Sequence, residues 1–209
     1  MAVLTALAPD PRQPGYRLVE VDRGRFASLP ADDLELLSLA VGREIPEPAL
    51  ERLHELADIE AAWRAALRSQ RQRGHARQDL RRRLIRKQHP PAAVDAALER
   101  LIARGLLDDT AFAVHYAATH ATRGRGAPRL IRDLQAQGVD RRLAERAVAE
   151  ALVAEGIDGD QAVRSLAERR VPLLAGLPPE ARRRRLLAFL ARRGFSGSHV
   201  RDLVRELCG

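Results

Sequence analysis

An apolar pattern that recurs about every 50 residues limits what this chain can fold into. Its central copy places small or apolar residues at offsets of 4, 8, 9, 14, 18 and 21 from a leucine: Leu130, Leu134, Gly138, Val139, Ala144, Val148 and Ala151. Shifting back by 50 gives Leu80, Leu84, Gln88, His89, Val94, Leu98 and Leu101, and shifting forward by 56 gives Leu186, Leu190, Gly194, Phe195, Val200, Val204 and Leu207. Only Gln88 and His89 break the pattern. These spacings fit two helices joined by a short turn, and units that cannot bury their apolar faces alone stack on one another.

The stretch 106–139 carries the local signals of one such unit. Asp108 and Asp109 offer capping oxygens and negative charge at the start of a helix. The segment Arg123–Gly126 breaks that helix, and Pro128 suits the first turn of the next one. The sequence therefore predicts three repeats, 57–106, 107–156 and 157–209, that contain about nine helices and no strand. The predicted breaks lie near Gly74, His89, Gly105, Gly124, Gly138, Gly156, Gly176 and Gly194.

Several motifs at these registered positions resemble those of the RecX family. In the central unit they are Leu107-Asp-Asp109, Phe112-Ala113, Arg123, Gly126, Arg129-Leu130, Leu134 and Gly138-Val139, with Arg81–Leu84 and Phe189–Phe195 in the flanking units. The resemblance covers about residues 58–207. Ala76 and Asp79 depart from it, because the family usually has a serine and a glutamate there to open the second helix. Losing that cap would weaken the helix start by about 1 kcal/mol.

The resemblance implies a regulator of the RecA recombinase and not an enzyme. Family members consist of three tandem three-helix units, and they bind the RecA–DNA filament and usually inhibit it. We therefore expect a mainly α protein, an elongated curved stack of three repeats behind a small N-terminal domain. Its expected role is in DNA repair, recombination and the SOS response, as a cytoplasmic monomer without a cofactor. Its expected partners are RecA, the RecA nucleoprotein filament and, by direct contact, DNA, but no membrane.

Residues 1–56 are predicted to form a small α+β leader domain. Three short segments rich in branched residues indicate an antiparallel sheet: Val3–Leu7, Tyr16–Val21 and Arg25–Leu29. Pro30 begins a predicted helix that ends at Gly42 and carries Leu34, Leu36, Leu37 and Val41. A second predicted helix, 46–56, leads into the first repeat.

Charge divides the chain at the same boundary. Residues 1–56 hold 6 basic and 10 acidic residues, a net charge of −4, whereas residues 57–209 hold 30 basic and 18 acidic residues, a net charge of +12. The leader and the repeats are therefore interpreted as separate surfaces. Arginine supplies 35 of the 36 basic residues; its planar fork binds phosphates and carboxylates well, although a GC-rich coding bias would give the same count. The lone Cys208 excludes an internal disulfide framework, and no apolar run is long enough to span a bilayer.

Three basic clusters provide candidate residues for binding a protein partner or DNA. They are Arg77, Arg81, Arg82, Arg83, Arg86 and Lys87 in the first unit, Arg123, Arg125, Arg129 and Arg132 around the glycine loop, and Arg192 and Arg193 in the third unit. Each cluster also has a purely structural interpretation as a solvated helix face, a flexible turn, or side chains that cover the core. Against it, residues 68–87 hold nine bases and one acid, which leaves few neutralising pairs. We expect the outward residues of the first two clusters to form one continuous basic surface: Arg82, Arg83, Arg86, Lys87, Arg125 and Arg129.

No catalytic group and no metal site is predicted. His115 and His120 are five residues apart, which fits poorly with paired metal ligands on a helix. Trp63 and Phe112 are expected in the core and not as platforms for base stacking. Two function classes remain, a regulator that binds the RecA filament and a general basic helical-repeat protein that binds DNA or RNA. The net charge of the repeats suffices for the second class, and the motifs favour the first.

Overall fold

A computed structural model describes all 209 residues, with three β-strands followed by ten α-helices. The elements are β1 (Leu4–Pro9), β2 (Tyr16–Val21), β3 (Gly24–Pro30), α1 (Ala31–Glu35), α2 (Glu47–Gln72), α3 (Arg77–Arg86), α4 (Pro91–Ala103), α5 (Asp109–Ala121), α6 (Ala127–Ala136), α7 (Arg141–Ala154), α8 (Gly159–Arg170), α9 (Pro179–Arg193) and α10 (Ser198–Cys208). A 3-10 turn, Val171–Leu174, follows α8. The chain divides into two compact units, one of residues 1–74 and 80–107 and the other of residues 75–79 and 108–209.

The helices beyond the sheet follow the predicted pattern. All eight predicted breaks fall between helices, and no strand follows Pro30. We call α2–α4 repeat 1, α5–α7 repeat 2 and α8–α10 repeat 3. The helix predicted for 46–56 is the beginning of the longer helix α2, which runs through the proposed boundary between residues 56 and 57. The division into a leader and three repeats at the stated residue numbers stays a prediction.

The leader contains the predicted antiparallel sheet. Its strand order is β1-β2-β3, with Leu7 paired to Val19 and Val19 paired to Ala27. Leu4, Val19 and Leu29 are fully buried, and they share a core with leucines from the first half of α2. This core explains why a sheet of only three short strands is stable, since a helix covers its apolar face.

The helix predicted from Pro30 to Gly42 is wrong in length. Helix α1 ends at Glu35, and Ser38 adopts a positive φ of 49° that turns the chain away from a helical path. Leu34 is buried, whereas Leu36 is 84% exposed and Val41 is 56% exposed. The leucines have helical spacing, but the leader core buries only some of these side chains.

The leucines that define the repeat lie in the core, as predicted. They are all fully buried: Leu80, Leu84, Leu130, Leu134, Leu186 and Leu190. Each repeat has a hydrophobic cluster of its own. In repeat 2 the helices meet through alanines, with Ala113, Ala117 and Ala121 of α5 buried in the cluster that holds Ala144 and Ala151 of α7. Small side chains let helix backbones approach closely, so a core with few aromatic residues is still well filled.

A buried polar network joins the leader sheet to repeat 1. Glu60 of α2 is 3% exposed and accepts a hydrogen bond from Arg100 of α4. Arg100 also donates to the Tyr16 hydroxyl on β2 at 2.6 Å. The guanidinium groups of Arg100 and Arg104 lie 4.4 and 5.0 Å from the ring centre of Trp63, which is 4% exposed. Trp63 is therefore a core residue, as predicted, and the leader and repeat 1 belong to the same compact unit.

Candidate functional site

Two glycines mark the places where successive repeats touch. Gly138 follows α6 with φ +90°, and a Cβ there would lie 2.4 Å from Cβ of Gln78 in the first turn of α3. Gly194 follows α9 with φ +93°, and a Cβ there would lie 2.8 Å from the backbone nitrogen of Arg129 in the first turn of α6. Both positions thus exclude a side chain by backbone conformation and by close approach. At each glycine, the residue that follows a second helix lies against the first turn of a second helix earlier in the chain.

Two adjacent aspartates start two different helices. Asp108 caps α5, and its Oδ1 accepts from the backbone nitrogens of Thr110 at 2.7 Å and Ala111 at 3.1 Å. Asp109 Oδ1 accepts from the backbone nitrogen of Arg77, the first residue of α3, at 2.7 Å. Helix α3 therefore receives from repeat 2 the capping oxygen that Ala76 cannot supply. This stabilises a helix start that the sequence predicted to be weak.

Five arginines and one histidine line a cleft of about 520 Å³ formed by repeats 2 and 3: His120, Arg123, Arg125, Arg129, Arg192 and Arg193. The end of α5, the glycine loop and the first turn of α6 supply four of these residues, and the end of α9 supplies two. Two hydrogen bonds hold the segments together. The backbone nitrogen of Gly126 donates to the carbonyl of Arg193 at 2.8 Å, and Arg193 Nη1 donates to the carbonyl of Arg123 at 2.8 Å.

One carboxylate, that of Asp133, forms ion pairs with two arginines of this cleft. Its Oδ2 is 2.9 Å from Arg125 Nη1, and its Oδ1 is 2.8 Å from Arg129 Nε. Arg125 Nη1 also donates to the Tyr116 hydroxyl at 2.9 Å. Arg123, Arg192 and Arg193 form no ion pair, so five guanidinium groups share a single carboxylate. Such an arrangement attracts anions, since each guanidinium group can donate two parallel hydrogen bonds to an oxyanion.

His120 is held at the cleft in an environment that opposes its protonation. Its ring packs on Tyr116 with ring centres 4.2 Å apart, and its Nδ1 is buried without a hydrogen-bond partner. Burial, together with the positive charges of Arg125 and Arg123, lowers the pKa of His120 below its usual value. Burial, with the charge of Asp133, raises the pKa of Tyr116. At neutral pH the histidine is therefore uncharged and the tyrosine keeps its proton.

The other candidate residues lie outside the cleft. Arg81 makes two hydrogen bonds of 2.6 and 2.9 Å to Asp95 of α4, so it fastens α3 to its own repeat. Arg132 is exposed and bonds the carbonyl of Pro128 in its own helix at 3.2 Å. Arg82 and Arg86 on α3 and Lys87 directly after it are exposed, Arg83 is partly exposed, and Arg77 begins the helix. The continuous surface predicted from α3 to Arg125 and Arg129 stays a prediction.

The sequence did not single out His120 or Asp133 as site residues. Asp133 follows Arg129 by four residues on one helix face, a spacing at which opposite charges pair, and this signal could have identified it. Elsewhere in the chain, no three His, Cys, Asp or Glu side chains cluster as the ligands of a metal ion would. No helix is long and apolar enough to cross a membrane.

Three helix triplets, joined at glycines and carrying an arginine cleft, define a tandem three-helix-repeat protein with an anion-attracting surface. Residues 108–148 match the family model for the second three-helix domain of RecX, and residues 158–204 match that for the third. A regulatory protein RecX from Halorhodospira halophila is 36% identical over 146 residues, which cover 69% of this chain and 87% of the relative. Another, from Thermobifida fusca, is 35% identical over 150 residues, 68% of this chain and 74% of the relative. The chain belongs to the RecX family of regulatory proteins.

Solved structures agree with this fold. A crystal structure of a regulatory protein RecX matches 99% of this chain with a TM-score of 0.74 at 18% identity. The crystal structure of RecX from Lactobacillus salivarius matches 72% of this chain with a TM-score of 0.58 at 20% identity. At these identities the likeness concerns the arrangement of the helices and not individual side chains.

Proposed function

We propose that this protein is a non-enzymatic regulator of RecA that binds the RecA–DNA filament and restrains recombination. The arginine cleft is the observation that carries the proposal, because both components of such a filament present anions, as phosphates or as acidic side chains. Membership of the RecX family supports the choice of partner. In this proposal the protein acts in the cytoplasm as a monomer and without a cofactor.

The repeat architecture suits a polymeric partner. Stacked helical units present an extended surface, and a filament offers the same contact on every protomer. Several weak contacts along one polymer act together, because the first contact raises the effective concentration for the next. We include the basic face of α3 in the binding surface, with Arg82, Arg83, Arg86 and Lys87 directed to acidic groups of RecA.

The test replaces Arg82, Arg83 and Arg86 together with alanine and keeps Leu80 and Leu84, so that the core of repeat 1 is unchanged. We expect loss of co-sedimentation with RecA filaments and loss of the suppression of strand exchange, with helical content and binding to naked DNA preserved. A matched control replaces Arg142, Arg146 and Arg169, which are exposed and lie outside both basic surfaces. Unchanged filament binding in the α3 variant would remove this face from the function.

A general nucleic-acid binder is the second candidate, and the net charge of +12 over residues 57–209 favours it. The two candidates differ in their preference for the filament over naked DNA at matched salt. If the protein binds naked DNA as tightly as the filament, and the α3 variant loses both equally, the general binder is correct. If the filament is strongly preferred, the RecA regulator is correct.

A further inference from the structure

We infer that the arginine cleft of repeats 2 and 3 is a phosphate site that holds two adjacent phosphates of a nucleic-acid strand, and not acidic side chains of a protein. This deepens the proposed function, on which it rests for the source of the strand in the filament. The α3 face and the cleft then have different ligands, carboxylates on one and phosphates on the other.

The side chains that line the cleft favour phosphate over peptide. All six end in nitrogen atoms, and no aliphatic residue is among them. Clefts that enclose a peptide contain apolar or aromatic anchors, because desolvated apolar contacts supply much of the binding energy. A second basic cleft, of about 370 Å³ between α9 and α10, shows the contrast, since Leu187 and Val204 lie among its arginines. The arginine cleft offers a ligand charge and hydrogen bonds, and its apolar surface comes only from the carbon atoms of these six side chains.

The net positive charge of the cleft is larger than one external anion can neutralise. Arg123, Arg192 and Arg193 have no acidic partner, although Arg193 packs on the ring of Phe189 at 5.3 Å. Arg125 and Arg129 are positioned by Asp133. Each guanidinium has five N–H donors, so these two arginines keep donors for a ligand while remaining ordered. Two phosphates with paired oxygens match this set of forks, and preorganised arginines lose less entropy on binding.

The two repeat junctions differ in the group that meets the start of the second helix. At the first junction, the carboxylate of Asp109 accepts from the first backbone nitrogen of α3. In α8 the equivalent position, directly after the capping residue Asp158, is Gly159. No side chain caps α6, whose first turn includes Arg129. At the second junction the chain supplies a main-chain acceptor instead, because the Arg193 carbonyl accepts from the backbone nitrogen of Gly126. An anion in the cleft is therefore held by the guanidinium groups.

Recognition in the cleft is independent of base sequence. The only ring that lines the cleft is the imidazole of His120, and that ring already packs on Tyr116. Proteins that read or hold single-stranded bases stack them on exposed aromatic faces, and none is present in this lining. Contacts to phosphates position a nucleic acid without reading its sequence, and this is what the cleft is equipped to do.

The test uses the full-length protein without RecA and measures binding by isothermal titration calorimetry. The probes are sodium tripolyphosphate, a short oligo(dT) and a tetraglutamate peptide. We expect tripolyphosphate and oligo(dT) to bind and to compete with each other, and tetraglutamate to bind at least about 10-fold more weakly. Replacing Arg123 and Arg192 with glutamine should weaken phosphate binding roughly 100-fold, at about 10-fold for each guanidinium group that is removed. The slope of log affinity for oligo(dT) against log salt should fall by at most about 1.4, at about 0.7 for each phosphate that is no longer neutralised.

Two further variants keep the result interpretable. Arg142→Gln with Arg146→Gln makes the same charge change outside the cleft and should leave tripolyphosphate binding unchanged. Arg192→Lys keeps the positive charge but removes the forked guanidinium group. Its affinity for tripolyphosphate should be lower than that of the unchanged protein and higher than that of the double variant of Arg123 and Arg192. Equal binding of tetraglutamate, or an unchanged double variant of Arg123 and Arg192, would overturn the phosphate assignment. Tripolyphosphate binding that oligo(dT) does not displace would overturn the nucleic-acid source. The α3 variant should bind tripolyphosphate normally, so failure of the filament proposal is measured separately.

Discussion

At the scale of single residues, Leu134 shows how much one repeat position contributes. Its side chain is fully buried on α6 among the alanines of repeat 2. Leu134→Ala should lower the free energy of unfolding by about 2–5 kcal/mol, because it loses apolar burial and leaves a cavity. Val153 in the same repeat is 83% exposed, and Val153→Ala should change it by less than about 0.5 kcal/mol. Urea unfolding of both variants checks the difference, and similar losses for the two would contradict the register.

His120 makes stability depend on pH in a direction that can be assigned. Its pKa is lowered in the folded protein, so the unfolded chain binds the proton more readily as the pH falls below about 6.5. The free energy of unfolding should therefore decrease as the pH falls from about 6.5 through the lower folded pKa. The groups that surround the ring are Tyr116, Arg123, Arg125, Asp133, Arg192 and Arg193.

This dependence should be weaker in His120→Gln, which has no proton to gain. Saturating tripolyphosphate should also weaken it, because an anion in the cleft favours the charged imidazole. Urea unfolding at about pH 8 and about pH 5.5, with and without the anion, measures both effects. If His120→Gln has the same pH dependence as the unchanged protein, the histidine does not titrate as its surroundings indicate.

At the scale of secondary-structure elements, the junction glycines can be separated from ordinary helix-ending glycines. Gly138 and Gly156 both have positive φ, 90° and 60°, but only a Cβ at Gly138 would meet another helix. Gly156→Ala should cost about 1–2 kcal/mol through backbone strain alone. Gly138→Ala should cost clearly more, since its Cβ would lie 2.4 Å from Cβ of Gln78. Thermal unfolding of the two variants measures the difference in stability between them. Equal losses of stability would mean that Gln78 moves aside at the junction at little energetic cost.

The helices were predictable because local signals determine them. Buried leucines four residues apart, and glycines after the helices at every break but the one near His89, indicated all eight breaks. The length of α1 was not predictable, because the leucine spacing continues past Glu35 although Leu37 and Leu39 reach the leader core from a segment that is not helical. The capping of α3 was hidden for another reason. Asp109 lies 32 residues from Arg77, and no local pattern connects a helix to a carboxylate in the next repeat.

At the scale of the whole molecule, the arginines of the cleft could be identified from the sequence, but their assembly into one cleft could not. Arg193 contacts Arg123 across 70 residues, so only the stacking of repeats brings the third cluster to the second. The change of net charge near residue 56 also suggested a structural boundary. Tyr16, Glu60 and Arg100 join residues on both sides of that position inside one compact unit, and the domain division there stays a prediction. Charge patterns describe surfaces, and they do not show where cores end.

The junction glycines also determine how an array of this kind can lengthen. In repeat 1 the position equivalent to Gly138 is Gln88, which has a positive φ of 66° and carries a full side chain. Repeat 2 has both halves of the contact, a glycine after its second helix and an open first turn at Arg129 that receives the next glycine. A tandem duplication of repeat 2 would therefore join to itself without a clash, whereas a repeat inserted before repeat 1 would meet the Gln88 side chain. Repeats can therefore be added by duplication within the array or on the side of repeat 3, but not before repeat 1.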